Sequence, residues 1–60
     1  MNNNLEIAIL IPCHNEEMTI EKVVKDFKIY TPNAKIYVCD NASTDNTSSV
    51  ARNAGATIIL

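Results

Sequence analysis

With a single glycine, Gly55, the chain cannot build the glycine-rich turn through which a backbone closes on a pyrophosphate. The segment Pro12 to Glu17 after the first apolar stretch contains none, which excludes a dinucleotide-binding site even though the order of elements below would suit one. Basic residues are scarce as well. Five Lys and Arg against seven Asp and Glu give a net charge of −2, with no basic stripe to follow a nucleic-acid backbone, so no polynucleotide partner is expected. Two cysteines, Cys13 and Cys39, are too few for a disulfide-stapled scaffold, and the start Met1-Asn2-Asn3-Asn4 has neither the basic nor the apolar region of a secretory signal. Both absences point to the reducing cytoplasm. The longest apolar run, Ile7 to Ile11, falls far short of the roughly 20 residues that span a bilayer as a helix; membrane contact is expected only through residues outside this sequence.

What remains has ordinary globular composition, 47% hydrophobic and 20% charged, and no low-complexity tract or internal repeat. A chain of this length hides only about 60% of its unfolded surface on folding, so one domain at most is expected and its core is marginal alone. Leu5 to Pro12 is β-branched and apolar on both parities, the pattern of a strand covered on both faces of a parallel sheet. Ile20, Val23, Val24, Phe27 and Tyr30 then recur at helical spacing opposite Glu21, Lys22, Lys25, Asp26 and Lys28, which predicts an amphipathic helix with that stripe in the core. Glu16 and Glu17 suit its N-terminal end, and Thr31-Pro32-Asn33 its stop.

Ile36 to Cys39 reads as a second strand, followed by the turn and cap formers Asp40 to Asn46. Thr47 to Ala54 reads as a second helix, with Asp45 or Asn46 near its cap, Arg52 in its last turn and Gly55 just past its end; Thr57 to Leu60 begins a third strand. The order β-α-β-α-β with short connections predicts an α/β fold: one half of a doubly wound parallel sheet, with right-handed crossovers and strand order 3-2-1. Both helices then share one face. Strand one lies at an edge, and this edge and the uncovered face invite self-association.

Ligands of open parallel sheets bind outside the carboxyl ends of the strands, which here carry Pro12-Cys13-His14-Asn15-Glu16 and Asp40-Asn41. Side chains of this type offer acceptors suited to the hydroxyls and ring N–H of a nucleoside rather than to its phosphates. Plainer roles compete for each residue: Glu16 and Glu17 at a helix dipole, Asp40 as a turn former, Asp45, Ser43 and Thr47 as caps, and His14 and Asn15 as solvated loop residues. Cys13, His14, Cys39 and Asp40 would gather at neighbouring strand ends, but their spacing fits no zinc motif.

The segments Ile11-Pro12-Cys13-His14-Asn15-Glu16-Glu17 and Val38-Cys39-Asp40-Asn41-Ala42-Ser43-Thr44-Asp45-Asn46-Thr47 together resemble the N-terminus of family 2 glycosyltransferases, of GT-A fold. The resemblance runs from about Glu6 to Leu60, and the polyprenyl-phosphate sugar synthases within the family share the wording most closely. It implies a nucleotide-sugar donor and an acceptor that is a polyprenyl phosphate or a growing glycan. It further implies that Pro12, His14 and Glu16 line a nucleoside pocket, the His14 position often being a Tyr that packs on the base. Asp40 matches a carboxylate facing the base; many members carry a second Asp where this chain has Asn41, which leaves open which of the two touches the nucleotide. Mg²⁺ or Mn²⁺ against the diphosphate is implied for the whole protein, with its acidic ligands and the acceptor's base outside this sequence, since no Asp follows Asp45. The competing class is a truncated fragment or interaction module that keeps the fold without the chemistry.

Overall fold

The structure is a computed structural model that describes residues 6–59; Leu5 and Leu60, assigned above to strands one and three, lie outside the described residues. The elements are β1 (Ile7–Cys13), α1 (Ile20–Tyr30), β2 (Ala34–Asp40), α2 (Thr47–Ala54) and β3 (Thr57–Ile59). β1 pairs with β2 and β2 with β3, both parallel, in the order β1-β2-β3. This is the predicted half-sheet, and both helices lie together against it, α1 packing on α2 and both on β2.

Two boundaries differ from the sequence reading. β1 reaches Cys13, and β2 runs from Ala34 to Asp40 instead of Ile36 to Cys39. The cause is the ladder, which pairs Ile7 with Ala34 at one end and Cys13 with Asp40 at the other. Backbone pairing recruits Ala34, Lys35 and Asp40 into the sheet although their side chains favour other conformations. Pro12, which has no N–H to give, is tolerated in β1 because an edge strand leaves part of its backbone unpaired.

The core lies between β2 and the two helices. Ile20 and Val24 of α1, Ile36 and Val38 of β2, Ala51 of α2, and Ala56 are buried, with Cys13 at the end of β1. Val24, Val38 and Ala51 are fully enclosed. α1 packs on α2 and β2, and α2 on β2 and β3. β1 therefore receives no helix directly over it, and the expectation that it is covered on both faces is not met: Ile7 is 52% and Leu10 62% exposed. The same geometry corrects the helix stripe. Phe27 is half-buried against the core, but Tyr30 at the last turn points away from it, 79% exposed, and Val23 sits at the margin. The 3.6-residue period carries Val23 and Tyr30 past the contact with α2 and onto an open groove of about 380 Å³ shared with Asp26, Phe27 and Thr31.

Both helix starts depend on the loops before them. α1 begins after Thr19, whose side chain does not cap the helix; instead the Glu16 carbonyl accepts the Thr19 and Ile20 N–H groups at 3.0 and 2.9 Å. Glu16 and Glu17 consequently precede the first helical turn, where Glu21 is the acidic residue, so neither carboxylate sits in the position assumed from the dipole argument. α2 ends as predicted. Gly55, at φ 112°, donates its N–H to Arg52 O at 3.0 Å, and Ala56 donates to Ala51 O at 3.1 Å. That pair of bonds is a Schellman motif with glycine in the left-handed position.

Candidate nucleoside site

The carboxyl ends of β1 and β2 lie side by side because Cys13 pairs with Asp40, and the ladder is extended by Asn41 N–H donating to Cys13 O at 2.8 Å. Beyond that point the loops 14–19 and 41–46 are joined by side chains. Three consecutive amides of the first loop donate to three side-chain oxygens on the second loop and the start of α2: Asn15 N–H to Ser43 Oγ at 2.8 Å, Glu16 N–H to Thr47 Oγ1 at 2.8 Å, and Glu17 N–H to Asp45 Oδ2 at 3.3 Å. In return Asn15 Oδ1 accepts the Thr44 N–H at 2.8 Å. A polar loop at a strand end must find partners for its amides. Here the wording Ser43-Thr44-Asp45-Asn46-Thr47 supplies them.

Each acceptor is itself held. Asp45 Oδ1 accepts the Thr47 N–H at 2.9 Å and the Thr47 hydroxyl, so Asp45 serves the start of α2 while its other oxygen serves the first loop. Asn46, the residue at the cap position, makes no side-chain cap bond. Thr47 is fully buried, and its hydroxyl is satisfied as donor to Asp45 and acceptor from Glu16. Asp40 is 8% exposed. Its Oδ1 accepts the Ser43 N–H at 3.1 Å and the Ser43 hydroxyl, and its Oδ2 accepts the Ser48 hydroxyl.

These bonds set the electrostatics. The Ser43 and Ser48 hydroxyls hold the Asp40 carboxyl below its ordinary value, and the Thr47 hydroxyl does the same for Asp45, because hydrogen bonds to a carboxylate favour its charged form. Burial, then the charge of Asp40, pushes the Cys13 thiol up, so Cys13 stays a protonated core residue and not a nucleophile. Residues 12–17 and 40–47 contain no Lys or Arg.

The sequence-predicted residues come together at this point in different ways. Pro12 is exposed at the end of β1, paired with Cys39. His14 is exposed, and its Nδ1 lies 2.5 Å from Asn41 O. Glu16 is exposed, with Oε2 accepting the Thr19 hydroxyl at 2.9 Å. Asp40 is turned into the loop, whereas Asn41 is exposed with its backbone fixed at both ends by Cys13 and His14. Asn15 and Ala42 adopt left-handed conformations, φ 53° and 51°; Asn tolerates this, while Ala42 carries the strain typical of sites whose shape is fixed by their surroundings.

Sequence reasoning assigned Ser43, Asp45 and Thr47 to caps and left Ser48 unremarked. Their joint role was readable only as a pattern, oxygen-bearing side chains at 43, 45 and 47 following a strand end, and the partner loop could not be named without the register. Cys13 and Cys39 occupy adjacent register positions, opposite Asp40 and Pro12 respectively, and therefore point to opposite faces of the sheet. Among the described residues no group of three or more His, Cys, Asp or Glu is arranged to hold a metal ion. Each oxygen of Asp40 and Asp45 already accepts an N–H or O–H donor, so these carboxylates serve the loops themselves.

The three-stranded parallel half-sheet matches the α/β fold of GT-A glycosyltransferases of known structure. Residues 8–59 match the family described as glycosyl transferase family 2, and the chain belongs to it. It is 53% identical over 58 residues to Protein RfbJ of Shigella flexneri, an alignment covering 97% of this chain and 45% of that protein. Among solved structures it is similar to the M. tuberculosis glucosyl-3-phosphoglycerate synthase, at 31% identity and TM-score 0.83, covering 93% of this chain and 22% of the synthase. The synthase solved with Mg²⁺ and uridine diphosphate aligns at 30% identity and TM-score 0.80, over 93% of this chain and 21% of its own. The chain thus spans less than half of the curated relative and about a fifth of the solved enzyme.

Proposed function

We propose that the whole protein transfers a sugar from a nucleotide-activated donor to an acceptor, and that residues 12–16 and 40–41 hold the donor's nucleoside. One observation carries this reading: the two loops are fastened to each other by four backbone amides, those of Asn15, Glu16, Glu17 and Thr44, while His14, Glu16 and Asn41 stay exposed on the resulting rim. Such a rim, built from acceptors and amides without a cation, suits ribose hydroxyls and a base edge better than phosphate.

Within the rim the division of labour follows from what is already engaged. Asp40 spends both oxygens on Ser43 and Ser48 and fixes the second loop; Asn41 offers the base a side-chain donor and acceptor; Glu16 offers the ribose a carboxylate. The solved synthase in complex with Mn²⁺, uridine-diphosphate-glucose and phosphoglyceric acid supports a nucleotide-sugar donor and a divalent metal for the whole protein. The metal's ligands and the acceptor's base then belong to other residues, so this segment contributes positioning to the reaction. No helix among the described residues is long and apolar enough to cross a membrane. We place the donor site in the cytoplasm, consistent with two free cysteines.

The test is a calorimetric titration of the whole protein with nucleoside diphosphate sugars differing in base. One of them is expected to bind, and Asn41→Ala is expected to weaken it by about tenfold, the cost of one lost polar partner. Failure of every sugar nucleotide to bind would sink the reading, and an unchanged affinity in Asn41→Ala would remove Asn41 from the pocket.

A further inference from the structure

We infer that Asn15 is a positioning residue that locks the His14 imidazole in its neutral Nδ1–H tautomer; the consequence for donor binding rests on the nucleoside-pocket reading above, whereas the lock itself does not. Hydrogen-bond polarity fixes the assignment. Thr44 N–H can only donate, so the Asn15 side-chain atom 2.8 Å from it is the carbonyl oxygen. The other end of that amide is then Nδ2, which can only donate. His14 Nε2 lies 3.3 Å from it and must present a lone pair. At the far side of the ring His14 Nδ1 meets the Asn41 carbonyl, which can only accept, so Nδ1 carries the proton.

The relay Thr44 N–H to Asn15, Asn15 to His14, His14 to Asn41 O begins and ends on backbone groups of the same loop. Both ends are of fixed polarity, and no other assignment satisfies all three bonds. The Nε2–H tautomer would set two donors against each other at Asn15 and two acceptors at Asn41. Asn15 is held in the required pose by its left-handed backbone and by its own N–H on Ser43 Oγ. Bonds at two edges of the imidazole fix its plane while His14 remains exposed, which leaves a ring face for a base or ribose to pack on.

His14 is the one histidine of the chain, so a long-range ¹H–¹⁵N correlation spectrum of the labelled protein reads its tautomer without ambiguity. The expected spectrum shows a protonated Nδ1 and an unprotonated Nε2, the reverse of the form that imidazole side chains favour in water. Asn15→Asp keeps the oxygen that serves Thr44 and the tolerance of a left-handed backbone, but turns the donor at His14 into an acceptor; it is expected to bring a proton onto Nε2. Asn15→Ala removes the donor that keeps Nε2 unprotonated but leaves the Asn41 carbonyl at Nδ1, so it is expected to weaken the Nδ1–H preference without abolishing it, and if that variant fails to fold, the parent and Asn15→Asp spectra still decide. An Nε2–H tautomer in the unsubstituted protein, or an unchanged pattern in folded Asn15→Asp, would overturn the inference. Uridine diphosphate titrated into the same variants reads the other question separately: an altered tautomer with unchanged affinity counts against His14 in the nucleoside pocket and not against the lock.

Discussion

At the scale of single residues, two of the seven carboxylates, Asp40 and Asp45, organise the loops. Asp40 accepts from two hydroxyls and one backbone amide, Asp45 from one hydroxyl and two amides, and both are held more acidic than the ordinary carboxylate value of 3.8. A carboxyl with a lowered folded-state pKa binds fewer protons folded than unfolded, so stability rises with pH through that window. The contribution is complete above the ordinary value and is lost as pH falls through the lowered folded values. We therefore expect far-UV circular dichroism under denaturant to show stability constant above about pH 5 and declining on the acid side. Ser48→Ala, which removes the partner of one Asp40 oxygen and brings its folded value nearer the ordinary one, should make the decline smaller and complete it at higher pH. A profile flat into strong acid would show that neither carboxylate matters to folding. Cys13 has the opposite sign: its raised thiol value means that its contribution is present at neutral pH and lost as alkali titrates it.

At the scale of elements, the junctions were more predictable than the ends of strands. The Schellman end of α2 was legible because only glycine adopts φ 112° at little cost, and the stem of Lys28 from α1 lies where a Gly55 Cβ would stand. Gly55→Ala is expected to cost roughly 1–2 kcal/mol through the left-handed penalty, with Gly55→Asn costing less, both read from denaturant unfolding. Equal stability of the three proteins would mean that the junction relaxes to another conformation. The exposed pairs Lys22–Asp26 and Lys25–Glu21, both at 2.7 Å, contribute little beside this, since solvent screens them. The start of α1 was less legible. Glu16 and Glu17 look like first-turn acids in the sequence, yet the backbone of Glu16 closes a turn before the helix begins, and the amides of both residues are claimed by Thr47 and Asp45.

At the scale of the whole molecule, both helices cover one face of the sheet, and β1 forms an edge with Leu10 62% exposed, while Ile59 at the opposite edge is 42% exposed. An edge strand of β-branched residues is a template for further pairing. We expect the sixty-residue chain to self-associate with rising concentration in sedimentation, and a stable monomer at high micromolar concentration would defeat that expectation. The sequence by itself determined the order of elements, the parallel half-sheet, the glycine end of α2 and the two segments that form the rim, because hydrophobic period, turn chemistry and short connections are local properties of a chain. Only the tertiary structure decided that β1 lies largely uncovered, that Tyr30 leaves the core, that Asp40 turns inward while Asn41 stays on the rim, and that Ser43, Asp45 and Thr47 hold the first loop. The first two depend on where the helices pack, and the last two on which groups some thirty positions apart meet across the β1–β2 register, since a loop amide takes whichever acceptor that register brings within reach.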